Sequence, residues 1–158
     1  MRPWCVLLLL VVSSLTWAQK YTGPRPPEPD MVYLVHADNL IPTEVAEAKQ
    51  ESKKNESTYT IAGTASPART PLAEPIFLIQ SAKIQPDRLE LYRLDVKSGH
   101  REVTTAQRRI RGGPRPLRLT VTRLDGGLYR IEASETLENG EYSLSPNDSN
   151  HVFCFEVY

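Results

Sequence analysis

Cysteine is scarce in this sequence, and so are the other residues from which compact reactive sites are built. The chain of 158 residues holds two cysteines and three histidines, and 19 basic residues balance 19 acidic residues. This balance excludes a global attraction to nucleic acid or to an anionic membrane. The sequence contains no HExxH, no CxxC, no calcium-loop pattern and no phosphate-binding glycine loop. We therefore predict no metal, no cofactor and no nucleic-acid partner.

Long apolar runs are also missing, apart from a short one near the start. Arg2 precedes the apolar residues 6–12, and Thr16 and Ala18 occupy the small-residue positions before a cleavage point. The run is shorter than the about 20 apolar residues that cross a bilayer. This pattern is typical of a secretory signal peptide cleaved after Ala18, and a retained anchor is the alternative. We predict an exported protein, periplasmic, envelope-bound or fully secreted, with no transmembrane segment after cleavage.

Cleavage would leave one cysteine in the mature chain. Without residues 1–18 the chain has 140 residues, of which 18 are basic and 19 acidic, and its one cysteine is Cys154. Secreted domains that are stapled by disulfides usually carry an even number of cysteines. Cys154 lies between Phe153 and Phe155, and such apolar surroundings disfavour the thiolate. We predict a buried, inert thiol in a monomer stabilised by its hydrophobic core, with an intermolecular disulfide as the alternative.

Composition divides the chain into three segments. Residues 1–18 form the predicted signal peptide. Residues 19–30 contain four prolines, which favour an extended, semi-rigid linker, and a proline-rich ligand for another protein is the alternative. Residues 31–158 form a single β-domain, since their length fits one domain.

Short apolar runs between turn signals dominate from residue 31 onward. Most of them alternate with the period of two that is typical of half-buried strands. The predicted strands are MVYLVH (31–36), STYTIAG (57–63), EPIFLIQ (74–80), RLELYRLDV (88–96), HREVTT (100–105), LRLTVTRL (117–124), GLYRIEAS (127–134), EYSLS (141–145) and HVFCFEVY (151–158). We predict an all-β fold of about 8–10 short strands, either an antiparallel β-sandwich (immunoglobulin-like or Greek key) or a β-barrel.

The segment PTEVAEAKQESKK (42–54) admits two interpretations. Its Ala, Glu, Lys and Gln content favours a helix, but its apolar residues make only a thin stripe. Thr43, Val45 and Glu47 equally fit one face of an edge strand. We favour a strand followed by a polar loop.

The segment LENGEYSLSP (137–146) also has two interpretations. The Asn-Gly pair at 139–140 is a hairpin signal, but a two-residue hairpin would place two glutamates opposite each other. In the other interpretation Leu137 anchors the core, Gly140 allows a bend, and Tyr142 opens the next strand. Its hydroxyl would then bond to the backbone upstream, as in the tyrosine corner of β-sandwiches. We favour the corner and assign structural roles to Gly140 and Tyr142.

The one concentrated charge is the arginine-rich stretch QRRIRGGPRPLR (107–118). It contains no acidic residue, and its Gly and Pro residues predict a loop. Guanidinium groups in such a loop would bind an anionic polymer, whereas the alternative is a solvated connection between strands. The candidate anion-binding residues are Arg108, Arg109, Arg111 and Arg115.

Three stretches together resemble a group of secreted bacterial domains of unknown activity. They are LELYRLDVKSGHREV (89–103), GTASPAR (63–69) and GEYSLSPNDSNHVFCFEV (140–157). The group tends to show a GExSPxR loop, an LYRLexKkGkREV hairpin and an LxPGEYal…FCFGvD end. Asn139 replaces the proline of that pattern, and Glu156 replaces its glycine. The resemblance covers most of residues 31–158 and implies export and an all-β fold, but no reaction.

These observations predict a secreted or envelope-associated β-domain that acts as a non-catalytic interaction or structural module. Its partner would be a cell-envelope protein or an anionic polymer. The alternative is a hydrolase or carbohydrate-active enzyme whose carboxylates meet only in the fold, because strands distant in sequence can bring such groups together. Two facing carboxylates in a deep polar cleft would favour the enzyme, and an arginine-lined surface would favour binding.

Overall fold

A computed structural model describes residues 20–106 and 115–158, so the predicted signal peptide lies outside the described residues. Within these ranges the chain forms thirteen strands and one 3₁₀ turn, Pro86–Arg88. The strands are β1 (Val32–His36), β2 (Asn39–Pro42), β3 (Glu44–Glu47), β4 (Lys49–Lys53), β5 (Glu56–Ala62), β6 (Arg69–Thr70), β7 (Ile76–Gln80), β8 (Leu89–Lys97), β9 (His100–Ala106), β10 (Leu119–Asp125), β11 (Leu128–Ala133), β12 (Gly140–Pro146) and β13 (His151–Val157).

The all-β prediction is confirmed, although the strands outnumber the expected 8–10. The excess comes from the short strands β2 and β6, and from the segment 42–54, which is extended over most of its length as β3 and β4. Pairing with β13 and β5 overrides the helix propensity of this segment. The part expected to be a polar loop is the exposed strand β4.

The strands form two sheets. The first has five strands in the order β10-β11-β7-β1-β2, and all of its pairs are antiparallel. The second follows the order β3-β13-β12-β8-β9-β5-β4, with β6 added in parallel to β13. Strands β8 and β9, and strands β10 and β11, are consecutive in the chain and pair antiparallel as hairpins.

The second sheet curls so strongly that its two edge strands lie next to each other and are consecutive in the chain. Strands β3 and β4 stand at opposite ends of the strand order, yet Ala48 alone separates them. The Ala48 N–H donates to the carbonyl of Asn150 at 2.8 Å, which holds this joint against the β12–β13 connection. The sandwich and the barrel of the sequence-based prediction are therefore combined, with the five-stranded sheet packed on one wall of a curled sheet.

Strands β12 and β13 are buried on both faces because they are the wall that the two halves share. On one face Phe155 meets Phe77 of the five-stranded sheet edge-on, with ring centroids 4.9 Å apart, and Tyr142 stacks on Phe155 at 5.5 Å. On the other face Val152 and Cys154 join the core inside the curl. Because successive side chains of a strand point to opposite faces, β12 and β13 contribute side chains to two hydrophobic cores.

The segment 137–146 forms a corner between the two sheets. Strand β11 before it belongs to the five-stranded sheet, and β12 pairs with β8 and β13 of the curled sheet. The Tyr142 hydroxyl donates to the carbonyl of Glu138 at 2.6 Å, and the buried Leu137 donates its N–H to Ala73 at 2.7 Å. A Cβ at Gly140 would lie 3.4 Å from the Arg93 guanidinium, so the glycine leaves room for this side chain.

The end of the predicted linker 19–30 is part of the packed domain. Pro29 forms a β-bridge with Gln80. Asp30 accepts hydrogen bonds of 2.8–2.9 Å from the backbone N–H groups of residues 82–84. Burial opposes ionisation of this carboxyl, but the N–H donors outweigh it and lower the pKa of Asp30. The β-domain therefore begins before residue 31.

The corner hydroxyl should contribute measurably to stability. Tyr142→Phe would leave the Glu138 carbonyl without its donor, and we expect a loss of about 1–2 kcal/mol in the free energy of unfolding. Urea unfolding monitored by circular dichroism measures it. Tyr158→Phe is the matched control, since Tyr158 is exposed and its ring contact with Arg69 survives the change. Equal unfolding curves for both variants would show that packing alone holds the corner.

Candidate functional site

One end of the curled sheet is closed by a buried arginine. Arg101 on β9 is fully buried, and each of its five N–H groups donates a hydrogen bond. Nε donates to the carbonyl of Gly63 at 3.0 Å, and Nη2 donates to that of Ala62 at 3.0 Å and to Glu44 at 2.9 Å. Nη1 donates to Glu44 at 2.8 Å and to Glu141 at 3.2 Å. A guanidinium whose donors are all matched in a fixed fork locks three strands and a loop in one arrangement.

The two carboxylates on Arg101 are engaged in holding the fold. Glu141 is buried and also accepts the Ser66 N–H at 3.0 Å. Burial raises the pKa of Glu141, and the Ser66 N–H and Arg101 oppose that effect only in part. Glu44 accepts hydrogen bonds from the guanidinium with both carboxylate oxygens and is partly exposed. These facing carboxylates lie against a buried cation and not in a cleft, so they do not form the pair expected of a hydrolase.

Three stretches that are far apart in the chain, residues 63–69, 89–103 and 140–157, meet around Arg101. Gly63 and Ser66 come from the first stretch, Arg101 from the second, and Glu141 and Cys154 from the third. The Ser66 hydroxyl donates to the Cys154 carbonyl at 3.1 Å. A shared structural requirement, the satisfaction of one buried charge, thus connects residues far apart in the chain.

Glu156, near the end of β13, forms an ion pair beside this cluster. It forms a two-pronged ion pair with Arg69, at 2.6 Å and 3.0 Å, on the exposed side of the same loop. The Arg69 guanidinium also lies over the Tyr158 ring, 4.3 Å from its centroid. This exposed contact ties the β6 strand to the end of β13.

Cys154 is fully buried inside the curl, among the apolar side chains of the second core. Burial raises the pKa of its thiol to about 12, and the attraction of Arg101 for a thiolate offsets this only in part. The thiol therefore keeps its proton at neutral pH, and it is unpaired in the described chain. The buried position agrees with the expectation from the sequence, and the low reactivity of the thiol stays a prediction.

The opposite end of the curled sheet is open and holds a pocket of about 410 Å³. Its floor is apolar, and the rings of Tyr59 and Tyr92 stand at its sides, packed against the core below. The floor consists of Ala48, Ile61, Val103 and Val152. The upper lining is polar and consists of Gln50, Glu90, Thr105, Ser143, Ser145, Asn147, Asp148, Ser149 and Asn150, with Pro146 among them. Strands β4, β5, β8, β9, β12 and β13 all contribute.

Hydrogen bonds fix part of the pocket lining in advance of any ligand. The Tyr92 hydroxyl donates to Glu90 at 2.6 Å, and the hydroxyls of Ser143 and Ser145 lie 3.2 Å apart. Burial, reinforced by the bond to Glu90, raises the pKa of Tyr92. The phenol therefore remains a donor, and the Glu90 carboxylate stays oriented at the pocket wall.

Of the candidate anion-binding residues, only one is placed by the structure. Arg108, Arg109 and Arg111 lie outside the described residues. Arg115 is exposed beside the gap between β8 and β9, where the two strands pair only through residues 95–97 and 100–102.

The described residues offer no preformed metal site and no membrane-spanning helix. Within residues 20–106 and 115–158, no three side chains of His, Cys, Asp or Glu come together as metal ligands. Over the same ranges, no helix combines the length and the apolar character needed to cross a bilayer.

Sequence reasoning missed both the arginine and the pocket. One signal for Arg101 was available, because strand alternation places it on the same face as the buried Val103. A charge at such an inward position requires a buried carboxylate partner. The pocket lining gave no such signal, since its serines, threonines and asparagines are ordinary residues of strands and turns.

Loss of the buried arginine should be costly. Arg101→Met would leave Glu141 buried without its cation and two carbonyls unpaired, and we expect a loss of about 3–5 kcal/mol in the free energy of unfolding. Arg118→Met is the matched control, because Arg118 is 78 % exposed and its ion pair with Glu135 should contribute little. Urea unfolding measures both.

A rescue test keeps this prediction informative if Arg101→Met folds poorly. Adding Glu141→Gln to Arg101→Met removes the buried unpaired charge and should restore part of the lost stability. If Arg101→Met unfolds at the same urea concentration as Arg118→Met, the cluster does not stabilise the fold.

Cys154 should resist thiol reagents in the native protein and react only after unfolding. A colorimetric disulfide reagent follows the reaction, with and without urea. Ser98→Cys in the exposed β8–β9 turn supplies an accessible thiol for comparison. Native Cys154 reacting as fast as that control would show that the thiol is reachable.

Comparisons of the chain with protein-family models, with curated proteins and with solved structures find no match.

Proposed function

We propose that the chain is an exported, monomeric, non-catalytic binding module that takes its ligand in the pocket at the open end of the curled sheet. The observation that carries the proposal is the contrast between the two ends. Arg101 and its carboxylates fill one end, whereas the other keeps a pocket of about 410 Å³ with a fixed polar lining. That volume lies within the range of small-ligand sites, which are usually largely preformed.

The partner comes from the cell envelope in this proposal. The support is the sequence pattern of a cleaved signal peptide and the absence of a global charge that would direct the domain elsewhere. The floor of the pocket is part of the buried core, which favours binding without a large rearrangement and so reduces the ordering cost of association.

A second candidate is a hydrolase, because Glu90 and Asp148 line the same pocket. The geometry favours it less. Asp148 is exposed in the β12–β13 turn, whereas a general acid of this chemistry is held in apolar surroundings. Glu90 is held by the Tyr92 hydroxyl. No histidine or cysteine is found among the described residues that line the pocket.

Filling the pocket should abolish binding while leaving the fold intact. Ser145→Trp on β12 would place an indole beside Glu90, its partner across the strand pair. Thr120→Trp on the exposed face of β10 is the matched control. Crosslinking and capture from the envelope of the source cells compare the two variants with the original protein, and circular dichroism checks the fold.

We expect the original protein and Thr120→Trp to capture the same envelope component, and Ser145→Trp to lose it. Capture that survives Ser145→Trp would place the binding surface elsewhere. Turnover of the captured component that disappears in Glu90→Gln would instead support the hydrolase.

A further inference from the structure

We infer that the ligand of the pocket is an uncharged saccharide. The inference rests on the proposed function, since it assigns a chemical class to the ligand of that same pocket. It is carried by three features of the lining: the balance of neutral donors and acceptors, the two tyrosine rings, and the sign of the charged groups.

Neutral polar side chains dominate the upper lining. Four residues with an aliphatic hydroxyl group and three with a carboxamide line the pocket, among them Ser145 and Asn150. Two further members of this set, Gln50 and Thr105, also donate to Ser57, at 3.5 Å and 3.4 Å. A hydroxyl both donates and accepts, and a carboxamide offers one of each kind of group. Sugar hydroxyls have the same dual character, so a saccharide can match such a lining at many points. A purely apolar ligand would leave these groups without partners, which is costly in a water-excluded site.

The two tyrosines supply aromatic surface against which a sugar ring can pack. Tyr59 and Tyr92 come from different strands, β5 and β8, and both pack on the apolar floor. An aromatic face carries partial negative charge, and the C–H groups on one face of a sugar ring are weakly positive. A pyranose ring can therefore lie against a tyrosine while its hydroxyls reach the polar rim.

The charged groups select against acidic ligands. Among the described residues that line the pocket, none is Lys, Arg or His, whereas Glu90 and Asp148 carry negative charge. The Tyr92 hydroxyl occupies one acceptor site of Glu90, and the carboxylate can still accept further hydrogen bonds. Sugar hydroxyls are suitable donors to it. An anionic ligand would meet repulsion, so a neutral saccharide fits better than an acidic one.

Titration calorimetry of the purified protein tests this inference with three uncharged probes: cellotriose, maltotriose and tri-N-acetylchitotriose. The variant Ser145→Ala/Asn150→Ala removes one hydroxyl and one carboxamide from the lining. The matched control Asn39→Ala/Ser98→Ala removes the same groups from two exposed positions outside the pocket lining, the start of β2 and the β8–β9 turn. We expect saturable binding of at least one probe, weakened about tenfold or more by the pocket variant and unchanged by the control.

Four results would overturn the inference. Binding that both variants retain equally would place the saccharide site elsewhere. Binding of tetramethylammonium alone, lost in Glu90→Gln, would identify an organic cation as the ligand, and tighter binding of glucuronic acid than of the neutral probes would contradict the charge argument. Absence of binding to every neutral probe would also reject the saccharide. Loss of envelope capture in Ser145→Trp would then still support a binding module, so the two failures are distinguishable.

Discussion

The curled sheet depends on one charge that is kept out of water. A lone guanidinium in an apolar interior would be prohibitively unfavourable, so Arg101 fixes where its carboxylates and carbonyl acceptors must lie. Those acceptors belong to β3, β5, β12 and the loop after β5, and the arginine itself belongs to β9. Once they are gathered, the sheet has to bend around that point, and its far end is left free to open.

The end of the curled sheet with the pocket can stay open because the hydrogen bonds of Arg101 hold the other end in place. A small barrel closed by apolar packing at both ends would have no space for a ligand. Here hydrogen bonds to a charge hold one end, and the shared wall of β12 and β13 is braced from outside by the five-stranded sheet. The pocket lining can therefore be polar without endangering the fold, since stability resides elsewhere.

Local patterns in the sequence predict the strands well, but not how the second sheet curls. Period-two alternation identifies β5, β8, β9 and β11 because it depends only on near neighbours. The consecutive apolar residues 152–155 show that both faces of β13 are apolar. Strand β12 carries serines on one face, which is also the pattern of a face in solvent, so its double burial could not be predicted. The corner at Tyr142 could be anticipated, since spacing and bond lie within five residues. The pocket could not, because it joins residues from six strands that nothing in the sequence connects.

The single residue between β3 and β4 has a consequence for how the chain tolerates insertions. Side chains along a strand alternate between faces, so adding one residue at Ala48 would exchange the inward and outward faces of β4. Gln50 would then turn away from the pocket, and its exposed neighbours would turn toward it. The length of the connection between β3 and β4 thus determines which side chains of β4 face the pocket. Insertions and deletions should therefore concentrate in the turns.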